Sequence, residues 1–130
     1  MRFSNLIPSA AALGLLAVAT GPAMAAAPVP FTQAAFEASR KAGKPILVHV
    51  EASRCTTCAQ QRPILAKLEA EPTYDGMVVY NVDRQKDVVR AFKVQMQSTL
   101  IAFHGRTEEA RSTGETSPEA IQAIVARTQD

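Results

Sequence analysis

The feature that most constrains this chain is a short apolar run, Ile46-Leu47-Val48-His49-Val50, followed four residues later by Cys55-Thr56-Thr57-Cys58. The run is bounded by Gly43-Lys44-Pro45 and by Glu51-Ala52-Ser53-Arg54, which marks it as a buried strand with one polar member, His49. Beyond the cysteines, Ala59, Ile64, Leu65 and Leu68 form an inward face, so a helix is expected from Cys55 to about Glu69, bent at Pro63. A buried strand that feeds directly into a helix is the start of a βαβ unit and commits the chain to an α/β architecture.

The remaining pattern agrees with that start. Thr32 is placed to cap a helix running to Lys41, with Ala34, Ala35 and Ala38 facing inward and Phe31 and Phe36 nearby. Met77–Val82 reads as a second strand and Lys86–Phe92 as a helix. Thr99–Phe103 reads as a third strand turning at His104-Gly105, and Glu109–Thr113 as a weaker fourth strand at an edge. Ser117-Pro118-Glu119 is a strong helix start, after which Ile121, Ile124 and Val125 face inward. The expectation is one mixed sheet of about four strands, covered by helices on both faces.

The N-terminus reads differently. Arg2 is the only charge before Glu37, and the apolar stretch Ala10–Ala19 is followed by Ala23-Met24-Ala25. A positive start, a short apolar core and a small-x-small site describe a secretory signal peptide over residues 1–25, with cleavage after Ala25 or, failing that, Ala27. The stretch is shorter than the roughly 20 apolar residues of a membrane span, and Pro8 and Pro22 bracket it. Residues 26–30 then read as a linker and 31–130 as a single domain. Cleavage removes Arg2 alone among the charges, so the formal charge falls by one from +2. With so small a charge, no basic run and 5% aromatic residues, nothing favours nucleic-acid binding.

The cysteine spacing carries the chemistry. Backbone N–H groups in a first helical turn lack intrahelical partners, and the helix dipole adds partial positive charge there. A Cys55 thiolate gains from both, from Arg54 if that side chain turns inward, and from the hydroxyls of Thr56 and Thr57. It should titrate below the free-thiol value of about 8.5. Three-residue spacing brings Cys58 within disulfide reach, so Cys55 suits a nucleophile and Cys58 a resolving thiol. Two other readings stay open. A structural disulfide closing so short a loop stabilises little. A metal site would need ligands beyond two sulfurs, drawn from His49, His104, Met77 or Met96.

Lys44–Cys58 together with Pro63-Ile64-Leu65 resembles the active-site region of the thioredoxin family. Phe92–Phe103 is similar to the later segment that faces the cysteines, and Gly114 matches the glycine before the last helix. Phe31–Pro45 especially resembles the C-terminal domain of the membrane-embedded periplasmic disulfide reductase. The resemblance implies a thioredoxin-like fold and a periplasmic thiol–disulfide oxidoreductase. It also implies a monomer that uses no cofactor or metal, with protein thiols and a membrane disulfide reductase as partners. The alternatives are a periplasmic copper or thiol chaperone and a non-catalytic adaptor.

The departures from the family pattern are specific. Arg54 stands where Trp is usual, and His49 stands where the family often has a buried acid that takes a proton from the second cysteine. A histidine suits that task near neutral pH, though a purely structural histidine fits the position equally. Ser98 replaces the cis-proline that packs against the cysteines and helps dock substrates. Arg54, Gln97 and Ser98 are thus the substrate-binding candidates. A cis bond before a non-proline residue costs about 2.5–4 kcal/mol. The expectation is nonetheless that the fold holds Gln97–Ser98 cis, and a trans bond with Ser98 turned away from Cys55 would favour a binding role.

Overall fold

The computed structural model describes residues 27–130, and the signal-peptide expectation for residues 1–25 lies outside them. Strand β1 is Val29–Pro30, helix α1 Gln33–Lys41, strand β2 Pro45–Glu51 and helix α2 Thr56–Glu69. Strand β3 is Val78–Asp83, helix α3 Lys86–Ala91, strand β4 Thr99–His104, strand β5 Thr107–Thr113 and helix α4 Pro118–Ala126. The sheet order is β1-β3-β2-β4-β5, with β2 parallel to β3 and antiparallel to β4. None of the described helices is long and apolar enough to cross a membrane.

β2 sits at the centre because both its faces are apolar, as a doubly covered strand requires. Ile46, Val48 and Val50 point into one cluster with Phe31, Phe36, Tyr80, Val82, Ile101 and Phe103. Leu47 points into the other, with Leu65, Leu68, Val79, Leu100, Ile121 and Val125. Period-two alternation therefore places His49 and Glu51 on the α2 side of the sheet. Phe36 anchors the first cluster, with ring centroids 5.2–5.3 Å from Phe31, Phe92 and Phe103.

Three expectations need correction. The sheet has five strands, since part of the expected linker, Val29–Pro30, pairs in parallel with Tyr80 and Asn81. A two-residue strand has no alternation to read; it exists only because β3 offers an edge. On α1 the buried residues are Phe36 and Ser39, whereas Ala34 and Ala38 are exposed. Aromatic volume decides the helix orientation, and Ser39 is tolerated inside because its hydroxyl lies 2.7 Å from that of Tyr80. On α2, Ala59 is exposed, and the buried stripe is Cys58, Gln61, Leu65 and Leu68. The helix continues through Pro63. Pro63 and Ala59, whose carbonyl loses its usual donor, both lie on the solvent-exposed face of the helix.

Candidate active site

The chain leaves β2, turns sharply at Arg54 in the left-handed region (φ 66°), and enters α2 with Cys55 as its N-cap. A non-glycine residue in that region costs roughly 1–2 kcal/mol, and the turn aims the first cysteine at the helix end. Cys55 Sγ accepts the Cys58 backbone N–H at 3.1 Å, taking the place of a capping oxygen. Cys55 and Cys58 form a disulfide with Cα atoms 5.2 Å apart. Cys55 keeps 8% of its surface exposed and Cys58 none, so only the first cysteine is open to approach by an external thiol or disulfide. Arg54, Thr56, Ala59 and Arg62 line a shallow cleft around Cys55.

One turn along α2 from Cys58 lies a polar cluster in which the sequence singles out His49 and Ser98 but not Gln61, Glu51 or Arg62. Gln61, fully buried one turn beyond Cys58, donates from Nε2 to the carbonyls of Ser98 (3.1 Å) and Glu115 (2.9 Å). These bonds fix the amide orientation, so Gln61 Oε1 is an acceptor and His49 Nε2, 2.9 Å away, must donate to it. His49 is buried and 3.8 Å, through Nδ1, from Glu51 Oε1. Burial lowers the His49 pKa more than the Glu51 carboxylate raises it. The imidazole is therefore neutral near pH 7, with its lone pair on Nδ1. Glu51 in turn pairs with Arg62 at 2.5 Å. The signal for Gln61 was a polar residue at helical spacing from Cys58, Leu65 and Leu68.

His49, Glu51, Arg62, Glu69 and Asn81 share a cavity of about 250 Å³ behind α2. Burial pushes the Glu69 carboxyl from an ordinary 4.5 up to about 7. Between those values the folded chain holds a proton that the unfolded chain has lost. The carboxyl's stabilising contribution is thus complete below pH 4.5 and disappears as pH rises through 7. Glu69→Gln should remove this term. The stability difference between wild type and variant, followed by denaturant unfolding, should shift against wild type from pH 5 to 7.5; a pH-independent difference would contradict it.

The expected cis bond is not found. Gln97–Ser98 is trans, as is every peptide bond among the described residues. Ser98 instead adopts φ 63° and donates its N–H to Val50 O at 2.7 Å. A residue other than proline keeps its N–H, and here the trans loop satisfies that group on β2 without the cis penalty. Ser98 is buried, with its hydroxyl bonded back to the Gln97 carbonyl, whereas Gln97 and Arg54 are exposed. The supplementary metal candidates are dispersed. His104 Nδ1 faces Thr128 O at 2.9 Å, Met77 sulfur accepts from the Thr128 hydroxyl, and Met96 is exposed. Among the described residues no group of three or more His, Cys, Asp or Glu is placed to hold a metal ion.

A five-stranded mixed sheet, a strand–turn–helix junction and a disulfide capping that helix define a thiol–disulfide oxidoreductase. The chain belongs to the thioredoxin family, whose sequence model matches residues 27–127. It is similar to Trxlp from Edwardsiella tarda, with 37% identity, a TM-score of 0.74, and coverage of 76% of this chain and 98% of that one. The thioredoxin of Malassezia sympodialis (18% identity, TM-score 0.70, covering 80% and 92%) shares the fold. So does thioredoxin NaTrxh of Nicotiana alata (21% identity, TM-score 0.67, covering 79% and 96%). Nothing among curated proteins matches the chain significantly.

Proposed function

We propose that this oxidoreductase works in the periplasm as a monomer, with Cys55 as nucleophile and Cys58 as resolving thiol. Protein thiols and disulfides are its substrates, and a membrane disulfide reductase is its redox partner. The observation that carries the reading is the helix-capping disulfide of which only the first cysteine has exposed surface. In the reducing direction the Cys55 thiolate attacks a substrate disulfide, forming a mixed disulfide and releasing one substrate thiolate, which takes a proton from water. Cys58, deprotonated, attacks Cys55 Sγ, re-forms the internal disulfide and expels the second substrate thiolate. Two electrons pass to the substrate; the reverse sequence oxidises a dithiol. Turbidimetric insulin reduction with a thiol donor tests this directly. Turnover supports it, and its absence with retained metal or partner binding would favour a chaperone or an adaptor.

His49 is proposed as the base for Cys58. Its neutral Nδ1 is the accepting atom, and Glu51 at 3.8 Å stabilises the imidazolium once it forms. Gln61 ties its ring to the same helical stripe that carries Cys58. His49→Leu should slow resolution and flatten its pH dependence below about pH 6.5, where the lowered imidazole titrates, while leaving the first attack by Cys55 unchanged. Stopped-flow decay of the mixed disulfide measures this, and an unaltered profile would leave His49 a structural role only.

A further inference from the structure

A groove of about 500 Å³ lies beside the active site, between the end of β2, helix α3 and the loop that precedes Ser98. Its apolar lining includes Val89, Val94 and Met96. Met96 is 60% exposed and, with Val29, is one of two large apolar side chains open to solvent among the described residues. The charged side chains at its margin are Arg84, Lys86 and Arg90. Glu51 also contributes to the wall, but its carboxylate is bonded to Arg62 on the α2 side of the sheet. Asp83 and Asp87 approach Arg84 and Arg90 at 4.0 and 3.6 Å, yet both pairs are solvent-exposed and neither aspartate lines the groove. Such exposed pairs are weak, so a ligand carboxylate can take either arginine from its aspartate.

The groove is joined to the chemistry. Arg84 Nη2 donates to Ser53 Oγ at 2.6 Å, tying its rim to the turn that delivers Cys55. Ala52 in the wall is three residues from Cys55, a chain distance of at most about 10 Å. An extended segment lying in the groove therefore presents a neighbouring cysteine to the cleft of Arg54 and Cys55.

Resting on the exchange reading above, we propose that this groove docks an acidic, partly aliphatic segment of the protein substrate, with the aliphatic side chain against Met96 and Val94. Asp or Glu residues of that segment meet Arg84, Lys86 and Arg90. Cationic rims of this kind raise encounter rates with anionic partners by about 10–1000-fold at low ionic strength, and the gain falls with salt.

The test uses the reduced protein and two disulfide-linked peptide dimers, of Asp-Leu-Cys-Leu-Asp and of Lys-Leu-Cys-Leu-Lys. Their rates are normalised to those with 2-mercaptoethanol, and bis(2-hydroxyethyl) disulfide serves as a small neutral probe. The acidic dimer should react at least about tenfold faster than the basic one at low salt, with the ratio shrinking as salt rises. The triple variant Arg84→Glu, Lys86→Glu, Arg90→Glu should abolish or invert the ratio. Equal rates, a preference for the basic dimer, or a preference unchanged in the triple variant would overturn the docking proposal while exchange with the neutral probe stands. Failure of wild type to react with the neutral probe would refute the exchange reading, and the docking proposal with it.

Discussion

Cys55→Ser is expected to abolish disulfide exchange, whereas Cys58→Ser should accumulate stable mixed disulfides with partner proteins. The asymmetry follows from the helix end. Cys55 caps α2 and is the only cysteine of the pair with exposed surface, while Cys58 lies one turn inside with none. A serine at position 55 retains the capping acceptor, so the fold should persist. A hydroxyl is not a thiolate, however, and the rate should drop by at least about a thousandfold, roughly 4 kcal/mol of barrier. In Cys58→Ser the first step survives and the mixed disulfide has no internal thiol to resolve it. Non-reducing electrophoresis of extracts, with alkylation mapping of the single cysteine left in each variant, checks both halves. Persistent exchange in Cys55→Ser, or faster alkylation of Cys58 than of Cys55, would reverse the roles.

The parts of this site that were legible in the sequence are those set by local pattern. Ile46–Val50 announces a central strand because both faces of it are apolar, and Cys55-Thr56-Thr57-Cys58 announces a helix start because its spacing is helical. What stayed hidden depends on partners far along the chain. Gln61 is buried only because Ser98 and Glu115 bring carbonyls to its amide from 37 and 54 residues away. Val29–Pro30 is a strand only because β3 is there to pair with it. On α1 three alanines fall at helical spacing and suggest an inward face, whereas the volume of Phe36 packed among Phe31, Phe92 and Phe103 sets the orientation.

The loop at Ser98 departs furthest from the expected geometry, and the cause is one backbone group. Position 98 is where the family pattern has proline, which has no N–H and holds φ near −65°. Serine supplies an N–H and accepts φ 63°, and the loop uses both, donating to Val50 O at 2.7 Å in a trans chain. Restoring the family residue should therefore be harmful. Ser98→Pro deletes that donor, leaves a buried Val50 carbonyl short of its partner, and cannot adopt the observed φ. The unsatisfied group alone costs about 1–3 kcal/mol, and with the backbone mismatch the total should reach about 3 kcal/mol or more. For a domain of this size that lowers Tm by roughly 12 °C or more. Ser98→Gly keeps the N–H and suits the left-handed conformation, so its stability should stay within about 1 kcal/mol of wild type. Denaturant unfolding of the two variants gives a sharp contrast, because a loop that merely tolerated small residues would not separate them so widely. A Ser98→Pro protein as stable as wild type would mean that the loop can leave its trans, left-handed form at little cost, and that the Val50 hydrogen bond does not hold it.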